Sequence, residues 1–273
     1  MGRKGVEMNR TILVTGAASG IGAATTKFLR ERGARVITAD LRNADVIADL
    51  TTEEGRKAFI DGVTSLSGGM IDAVVANAGG GPVRTTVQLN FFGTVATLEG
   101  LRPLLSASAA PRAVAISSIG SLFASNGDLI DACLAGDEPK AVSIGQIMYG
   151  ELEKLGTDPN QIREAIYGNA KLALNLWCRR AASSAEWAGA GIPLNVVALG
   201  LYDTPAATFI LSDPKRRAPV EELTPLRGAF PGRPQDAAAL LYWLTSPANT
   251  QLTGQVMFAD GGFECRVRGV QTK

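Results

Sequence analysis

Histidine is absent from the 273 residues of the chain. This absence excludes a Ser-His-Asp hydrolase, a Cys-His protease and a zinc enzyme with histidine ligands, because each needs an imidazole as base or ligand. Any acid–base step near neutral pH must then be carried by tyrosine, lysine, aspartate or glutamate with a shifted pKa. We therefore expect a site that works with neither histidine nor a metal ion.

Cysteine is scarce, and the charges balance. Cys133, Cys178 and Cys265 lie far apart without metal-ligand spacing, which favours free thiols in a reducing cytoplasm. Lysine and arginine number 27 against 26 acidic residues, so nothing indicates a nucleic-acid-binding surface. No apolar run is long enough to span a bilayer, and the N-terminal "MGRKGVEMNR" lacks the apolar segment of a secretory signal. We expect neither a nucleic-acid nor a membrane partner.

Short apolar runs alternate with longer helical patterns along the whole chain. With 46% hydrophobic residues the chain can form one globular domain spanning residues 1–273. The runs typical of buried strands are 11–15, 34–39, 71–76, 113–118, 193–198 and 255–259, and helical spacing occupies 20–32, 86–107, 161–188 and 235–246. This alternation predicts a parallel sheet with helices on both faces. The expected fold is an α/β doubly wound Rossmann fold.

Two segments interrupt the alternation. Residues 119–160 are too long for a simple connection and contain helix-forming runs, so we predict a helical insertion there. Residues 201–232 carry five prolines and predict a mobile loop or lid near the substrate. Both segments follow predicted strand ends, where doubly wound sheets bind their ligands.

The stretch "TGAASGIG" (15–22) follows the first predicted strand and opens the first predicted helix. Gly16 permits a tight turn, while Gly20 and Gly22 let a pyrophosphate approach the backbone at the helix N-terminus. A glycine triplet alone is also compatible with a close-packed turn. Its position between a strand and a helix favours a dinucleotide site.

Asp40 ends the second strand-like run, beyond the glycine-rich loop. An acid at this place can accept hydrogen bonds from both hydroxyls of an adenosine ribose, and it repels a 2′-phosphate. Ser19 offers no basic alternative, although Arg42 is close enough to keep NADP open. The pattern favours NAD over NADP.

These motifs resemble the short-chain dehydrogenase/reductase family over roughly residues 9–263. The glycine spacing TGxxxGIG is that family's version, "NAG" (77–79) matches the motif that ends a strand beside the cofactor, and Tyr167 with Lys171 matches Tyr-x-x-x-Lys. The stretch "RNADVIADLTTEEGRKAFI" and the long Ser-to-Tyr connection carry a narrower resemblance to its group of 3α-hydroxysteroid dehydrogenases/carbonyl reductases and coniferyl-alcohol dehydrogenases.

The resemblance implies functional residues at matching positions. It implies catalytic roles for Asn90, Ser118, Tyr167 and Lys171, with Ser117 as an alternative to Ser118. It implies cofactor contacts at Gly16, Ser19, Gly20, Ile21, Gly22, Asp40, Leu41, Asp49, Leu50, Asn77, Ala78, Gly79, Tyr167, Lys171 and Thr204. Taken one at a time, each of these residues has a purely structural interpretation, such as a tyrosine in the core or a lysine in solvent. Their occurrence together in one chain favours the functional interpretation.

The implied mechanism rests on Tyr167 as general acid or base. A free phenol titrates near about 10, so a lysine ammonium one helical turn away and an oxidised nicotinamide should lower its pKa. The resemblance implies that Lys171 also binds the nicotinamide ribose, that Ser118 donates to the substrate oxygen, and that Asn90 holds a water relaying the proton. The protein would supply orientation and proton transfer while NAD carries the hydride.

Three features depart from the family pattern. "YGNAK" stands where Ala-Ser-Lys is common, so a local hydrogen bond is expected to be missing. Leu199 replaces a proline before the loop that carries Thr204. The insertion 119–160 lies beside the helix faces through which such proteins associate, so it is expected to block that interface, to line the substrate cleft, or both.

The leading hypothesis is an NAD(H)-dependent oxidoreductase acting on a hydrophobic secondary alcohol or ketone, such as a hydroxysteroid. An aryl-alcohol dehydrogenase is the alternative within the enzyme class. A non-catalytic NAD sensor is a weaker alternative, because such proteins usually lose the tyrosine or lysine, and a Rossmann-like methyltransferase would leave the Ser-Tyr-Lys set without purpose. A homodimer or homotetramer is expected.

Overall fold

A computed structural model describes residues 10–269. Within them, seven parallel strands form one sheet in the order β3-β2-β1-β4-β5-β6-β7. The strands are β1 (Thr11–Thr15), β2 (Arg35–Asp40), β3 (Val46–Ile47), β4 (Ala73–Ala76), β5 (Arg112–Ser118), β6 (Leu194–Leu199) and β7 (Val256–Ala259). The order reverses between β1 and β4, which confirms the doubly wound Rossmann prediction and locates the ligand crevice at their carboxyl ends.

Ten α-helices of the described part cover the sheet. They are α1 (Gly20–Arg30), α2 (Glu53–Ser67), α3 (Thr94–Ser106), α4 (Gly127–Leu134), α5 (Glu138–Lys154), α6 (Pro159–Ala182), α7 (Thr208–Leu211), α8 (Pro214–Glu222), α9 (Pro234–Leu244) and α10 (Phe263–Arg268). The prediction of helix over 161–188 runs six residues too far. The Ser183 hydroxyl, just past the end of α6, donates to the Arg180 carbonyl (3.0 Å). Because serine can bond to backbone groups in this way, it favours the end of a helix.

The strands are buried on both faces, as a parallel sheet requires. One face packs against α1 and α9 through a cluster that includes Ile12, Val14, Leu29, Val75 and Leu241. The other packs against α2, α3 and α6 through Leu13, Phe59, Val74, Leu101 and Leu174. Burial of each such side chain contributes about 1.5–3 kcal/mol, so the rigid sheet can hold loop residues in place at its edge.

The two irregular segments are built differently. The predicted helical insertion 119–160 contains α4 and α5, which lie between β5 and the helix of Tyr167. The segment 201–232, predicted as a mobile loop or lid, is less irregular than expected, because a 3-10 turn (Pro205–Ala207), α7 and α8 occupy much of it; its mobility stays a prediction. Pro214 stands in the first turn of α8, behind Asp213, whose side chain caps Lys215 N. Proline in that place starts a helix rather than breaking it.

No helix in residues 10–269 has the length and apolar character to cross a membrane. The N-terminal residues 1–9, on which the absence of a secretory signal was predicted, lie outside the described part. So does the start of the family resemblance at residue 9.

Candidate active site

A cavity of about 1540 Å³ lies at the carboxyl edge of the sheet. Ligand pockets for one small molecule run to roughly 300–1,000 Å³, so this one has room for a dinucleotide and a substrate together. Of the predicted site residues, its walls include Gly16, Ser19, Gly20, Ile21, Asp40, Leu41, Asp49, Leu50, Asn77, Ala78, Gly79, Ser118, Tyr167 and Thr204. Gly22, Asn90 and Lys171 lie behind the wall and not on it.

The glycine-rich loop joins β1 to the N-terminus of α1. Gly16 and Gly20 adopt positive φ angles of 65° and 53°, which favour glycine. A Cβ on Gly22 would lie 2.0 Å from the Gly16 carbonyl oxygen, so no larger residue fits there. The first turn of α1 leaves backbone N–H groups free at the cavity, a geometry suited to a pyrophosphate. These residues therefore fit a dinucleotide.

Asp40 connects β2 to this loop. Its carboxylate accepts hydrogen bonds from Ala18 N (3.0 Å) and Leu41 N (2.7 Å). Asp40 is partly exposed and stands on the cavity wall, as a ribose-binding acid must. The bond from Ala18 N fixes the carboxylate against the glycine loop, so the loop and the adenosine end of the site are positioned together.

Asp49 and Leu50 lie on the cavity wall next to this end. The Asp49 carboxylate accepts from both Thr51 N (2.9 Å) and Thr51 Oγ1 (2.7 Å), which closes a tight turn. Leu50 is almost fully buried, with 7% of its surface exposed. The turn thus presents an apolar wall suited to a planar base.

Asn77 braces the glycine loop. Its amide donates to the carbonyls of Thr15 (2.9 Å) and Gly16 (3.3 Å), and Ala78 N donates to Thr15 Oγ1 (2.9 Å). Thr15, the first letter of the glycine motif, is not among the predicted site residues but supports two of them. Its buried hydroxyl joins β1 to the "NAG" segment, so this hydroxyl fixes the two strand ends beside the cavity.

Ser118 and Tyr167 meet at the end of β5. Burial and then the Glu164 carboxylate raise the pKa of Tyr167 well above its ordinary value, and they outweigh the opposite effect of the neighbouring Ser118 hydroxyl. The predicted fall in the Tyr167 pKa is therefore wrong for the protein alone, because burial outweighs the favourable contacts. Ser117, the alternative, is buried and donates to the Lys171 carbonyl (3.5 Å), whereas Ser118 lies beside the phenol; the catalytic role of Ser118 stays a prediction.

Lys171 is buried one turn below Tyr167. Its Nζ donates to the Ile116 carbonyl (2.8 Å) and lies 5.5 Å from the centre of the Tyr167 ring. Burial lowers the pKa of Lys171 to about 7. A Cβ on Gly79 would stand 3.4 Å from this nitrogen, so the glycine of "NAG" keeps the ammonium close to the cavity wall.

Asn90 lies in a π-helical turn (Gln88–Gly93) that precedes α3. Its amide donates to Gly80 O (3.0 Å) and Thr86 O (2.8 Å), and its oxygen accepts from Gly80 N (3.0 Å). Both amide hydrogens are used and the side chain is fully buried. These bonds hold the backbone after "NAG" in place, while the water relay at Asn90 stays a prediction.

Thr204 lies beside the glycine loop, since a Cβ on Gly20 would be 3.3 Å from the Thr204 Cβ. Leu199, which replaces the family's proline, pairs with Ala259 and extends β6. The Tyr202 hydroxyl donates to the Ala259 carbonyl (3.1 Å) and anchors the loop that follows. The loop is therefore held on the sheet without the proline.

The motif "YGNAK" has a structural explanation. A Cβ on Gly168 would lie 2.6 Å from the Gly120 carbonyl oxygen, so glycine lets the segment 118–126 pack directly on α6. The side-chain oxygen of Asn169 (Oδ1) then accepts from Ser125 N (3.1 Å) and Asn126 N (2.8 Å). The hydrogen bond expected to be missing is replaced by this pair, which fixes the start of the insertion.

We expect Asn169→Ala to lower kcat/KM by about tenfold, because two charge-free hydrogen bonds worth about 1 kcal/mol each no longer hold segment 118–126 against α6. NADH affinity, measured by fluorescence titration, should not change. Asn169→Asp keeps both acceptor bonds but loses the donor to the Ala165 carbonyl (2.8 Å), so its kcat/KM should lie between those of Asn169→Ala and wild type. A kcat/KM for Asn169→Ala within a factor of about two of wild type would show that the segment is held by packing alone.

The far end of the cavity is mainly apolar. Its side chains are Phe123, Phe209, Ile210, Val220, Leu223 and Phe263, drawn from the insertion, α7, α8 and α10. Arg163 and Arg216 stand over the Phe209 ring, with guanidinium carbons 4.3 and 5.9 Å from its centre. Their charges are paired with Glu164 and with Asp158 respectively. The site thus offers a hydrophobic wall with a neutralised polar rim.

In the described part of the chain, no cluster of three or more cysteine, aspartate or glutamate side chains is arranged to hold a metal ion. The polar groups that meet at the centre of the cavity are a serine, a tyrosine and, behind them, a lysine. The chemistry available there is hydrogen bonding and proton transfer.

A sheet of this topology, with a glycine loop at its switch point and a Ser-Tyr-Lys set beside it, defines a nucleotide-binding oxidoreductase. Comparison with known families agrees. The family described as short chain dehydrogenase matches residues 10–128, and that described as Enoyl-(Acyl carrier protein) reductase matches residues 155–264. The chain belongs to the short-chain dehydrogenase family, as the sequence predicted.

Individual proteins of known type are similar to this chain over almost its whole length. The chain is 35% identical to a 3-alpha-hydroxysteroid dehydrogenase/carbonyl reductase of Comamonas testosteroni, over 95% of this chain and 98% of that protein. It is 29% identical to a cis-4-hydroxycyclohexanecarboxylate dehydrogenase of Sinomonas cyclohexanicum, over 93% and 96%. A crystal structure of the 3-alpha-hydroxysteroid dehydrogenase from Pseudomonas sp. B-0831 complexed with NADH superimposes with a TM-score of 0.82 at 33% identity, over 96% and 99%.

Proposed function

We propose that this enzyme is an NAD-dependent dehydrogenase/reductase that interconverts a secondary alcohol and its ketone on a hydrophobic molecule. The observation that carries the proposal is the position of Ser118 and Tyr167 in one cavity with the glycine loop and Asp40. One end of the cavity suits a dinucleotide, the other an apolar substrate, and the proton-transfer groups lie between them. The relatives named above support the same reaction class.

The proposed cofactor site follows from the residues at the first end. Gly16, Gly20 and the N-terminus of α1 would hold the pyrophosphate, and Asp40 the adenosine ribose. The turn at Asp49 and Leu50 would flank the adenine. When bound, NAD supplies the hydride acceptor and a positive charge that favours the phenolate form of Tyr167.

Oxidation of the alcohol requires the transfer of a proton from its hydroxyl group and of a hydride from its carbinol carbon. Tyr167 takes the hydroxyl proton as a hydride leaves the carbinol carbon, and in the reverse direction the phenol returns that proton to the carbonyl oxygen. Ser118 donates a hydrogen bond to the same oxygen and stabilises the charge that develops on it. Lys171 stabilises the phenolate and positions the nicotinamide ribose. No histidine or metal ion is needed.

The substrate is proposed to be a 3α-hydroxysteroid or a related cyclic carbonyl compound. The apolar far end of the cavity supports a hydrophobic molecule, and the named relatives act on hydroxyl groups of ring compounds. An aryl alcohol is the alternative substrate. A homodimer or homotetramer and a cytoplasmic location stay predictions.

A panel of 3α-hydroxysteroids, aryl alcohols and cyclic ketones, each with NAD(H) and NADP(H), tests the proposal through the change in NADH absorbance. Turnover of steroids with NAD is expected. Turnover of aryl alcohols alone would keep the mechanism and replace the substrate. NADH binding without turnover of any compound would favour a cofactor sensor and overturn the proposed function.

We expect Asp40→Asn to lower the preference for NAD over NADP by about tenfold, because removal of one charge relieves a repulsion of about 1–4 kcal/mol with a 2′-phosphate. The measurement is the ratio of kcat/KM for the two cofactors. Asp61→Asn, on the exposed part of α2, removes a carboxylate away from the cavity and serves as control. An unchanged ratio in Asp40→Asn would show that another group selects the cofactor.

A further inference from the structure

The helical insertion contacts the adenosine end of the site as well as the substrate end. Arg56, in the first turns of α2, carries this contact. Its Nε donates to the Leu50 carbonyl (2.9 Å) and its Nη2 to the Thr51 carbonyl (3.3 Å). Both carbonyls belong to the turn proposed to flank the adenine. Arg56 therefore supports that turn from behind.

The same guanidinium is held from the other side by the insertion. Glu138, the first residue of α5, accepts from Nη1 (2.7 Å) and Nη2 (2.6 Å) in a two-pronged ion pair. Only 13% of the Arg56 side chain and 29% of the Glu138 side chain are exposed. Paired, hydrogen-bonded charges with this little exposure are stronger than surface ion pairs. Four of the five N–H donors of Arg56 are thus used, two toward each partner.

The turn has little other freedom to move. A Cβ on Gly55 would lie 1.9 Å from the Asp49 carbonyl oxygen, so α2 presses directly on the turn. A Cβ on Gly93 would be 2.8 Å from the Leu50 carbonyl oxygen, so the π-helical turn encloses it from another side. Arg56 is the basic side chain that contacts this turn, and Glu138 fixes the orientation of the Arg56 guanidinium.

We propose that Arg56 and Glu138 are positioning residues through which the insertion stabilises the adenine-binding turn at Leu50 and Thr51 and so increases the affinity for the cofactor. This inference rests on the proposed function. Neither residue touches the reacting atoms, so the pair should affect cofactor affinity and not the chemical step. The insertion would then serve cofactor binding in addition to forming part of the substrate wall.

The test uses Glu138→Gln and Arg56→Lys, which keep side-chain length but lose the two-pronged ion pair. NADH affinity is measured by fluorescence titration, and the affinity for 5′-AMP, which carries the adenosine end without the nicotinamide half, by competition. We expect both affinities to fall by about fivefold in Glu138→Gln and about tenfold in Arg56→Lys, at unchanged kcat, because an oriented charge-assisted bond is worth about one power of ten in affinity. Glu153→Gln and Lys57→Gln, on the same two helices, are matched controls and should bind both ligands as wild type does.

The double variant completes the test. If Glu138 acts through Arg56, the combined change is no larger than that of Arg56→Lys alone. The inference is overturned if Glu138→Gln lowers the melting temperature while the affinities stay at wild-type values, or if kcat falls with them. If the wild-type protein binds no NADH, the proposed function is overturned, and the inference with it. If the wild-type protein binds NADH and the variants bind it equally well, only the inference is overturned.

Discussion

Tyr167→Phe is expected to lower kcat by about a thousandfold, because it removes the group that exchanges a proton with the substrate oxygen, and general acid–base catalysis contributes about 10²–10⁴. The phenyl ring is retained, and with it the packing against Gly120, whose Cβ would lie 3.3 Å from the ring. NADH affinity should therefore stay within about twofold of wild type. Steady-state turnover and a fluorescence titration on the same preparation measure the two effects.

A matched control distinguishes loss of the catalytic group from loss of any hydrogen-bonded phenol. Tyr149 on α5 donates to Glu153 (3.0 Å) at the surface, away from the cavity. Tyr149→Phe removes a hydrogen-bonded phenol and should leave kcat unchanged. Turnover of Tyr167→Phe at more than about a tenth of the wild-type rate would mean that another group carries the proton.

Lys171→Met is expected to lower kcat by about a hundredfold and, at the same time, to stabilise the fold near neutral pH. Burial lowers the pKa of Lys171 to about 7 from 10.5. Below about pH 7 the folded wild-type protein holds a buried ammonium, which costs free energy that methionine avoids. Methionine has a similar length and suits an apolar site. Activity and stability should therefore change in opposite directions.

The sign of the pH dependence follows from proton binding. Between about pH 7 and 10.5 the unfolded wild-type chain keeps the Lys171 proton and the folded protein loses it, so wild-type stability rises with pH by up to about 1.4 kcal/mol per unit. The advantage of Lys171→Met is thus largest at or below pH 7 and shrinks as pH rises. Burial also raises the pKa of Cys178 on the same helix, but both proteins carry this thiol, so its titration largely cancels from the difference between them over pH 7–9.

Urea unfolding of both proteins across this range measures the difference in the free energy of unfolding. Lys154→Met, at the exposed end of α5, is the control and should show the wild-type dependence. A constant difference between Lys171→Met and wild type from pH 7 to 9 would mean that Lys171 keeps its ordinary pKa in the fold.

Much of the fold can be predicted from local sequence. The strand cores are apolar on both faces, which only a parallel sheet between helices requires, so six of the described strands coincide with predicted runs to within two residues. The strand missed is Val46–Ile47, which pairs with β2 at two positions and has no pattern of its own. The short helices after Thr204 cannot be predicted from the prolines alone, because proline marks either a break or a first helical turn, and Pro214 stands where a helix begins.

The candidate site depends in part on contacts that local sequence patterns do not predict. Spacing alone places Tyr167 and Lys171 on one face of a helix, and the structure has both on α6 with Ser118 beside the phenol. The direction of the Tyr167 pKa could not be predicted in the same way, because it depends on burial by segments distant in the chain. The partners of Asn169 and Arg56 lie about 43 and 82 residues away, so no local pattern reveals them.

The central claim is direct hydride transfer from an alcohol carbon in the cavity between the glycine loop and Tyr167. The most direct measurement uses a 3α-hydroxysteroid carrying deuterium on its carbinol carbon, or the best alcohol of the panel labelled in the same way, with NAD and mass spectrometry of the NADH formed. We predict that the NADH carries one deuterium from wild-type enzyme and that almost none forms with Tyr167→Phe. NADH without the label, or equal labelled NADH from Tyr167→Phe, would contradict the account.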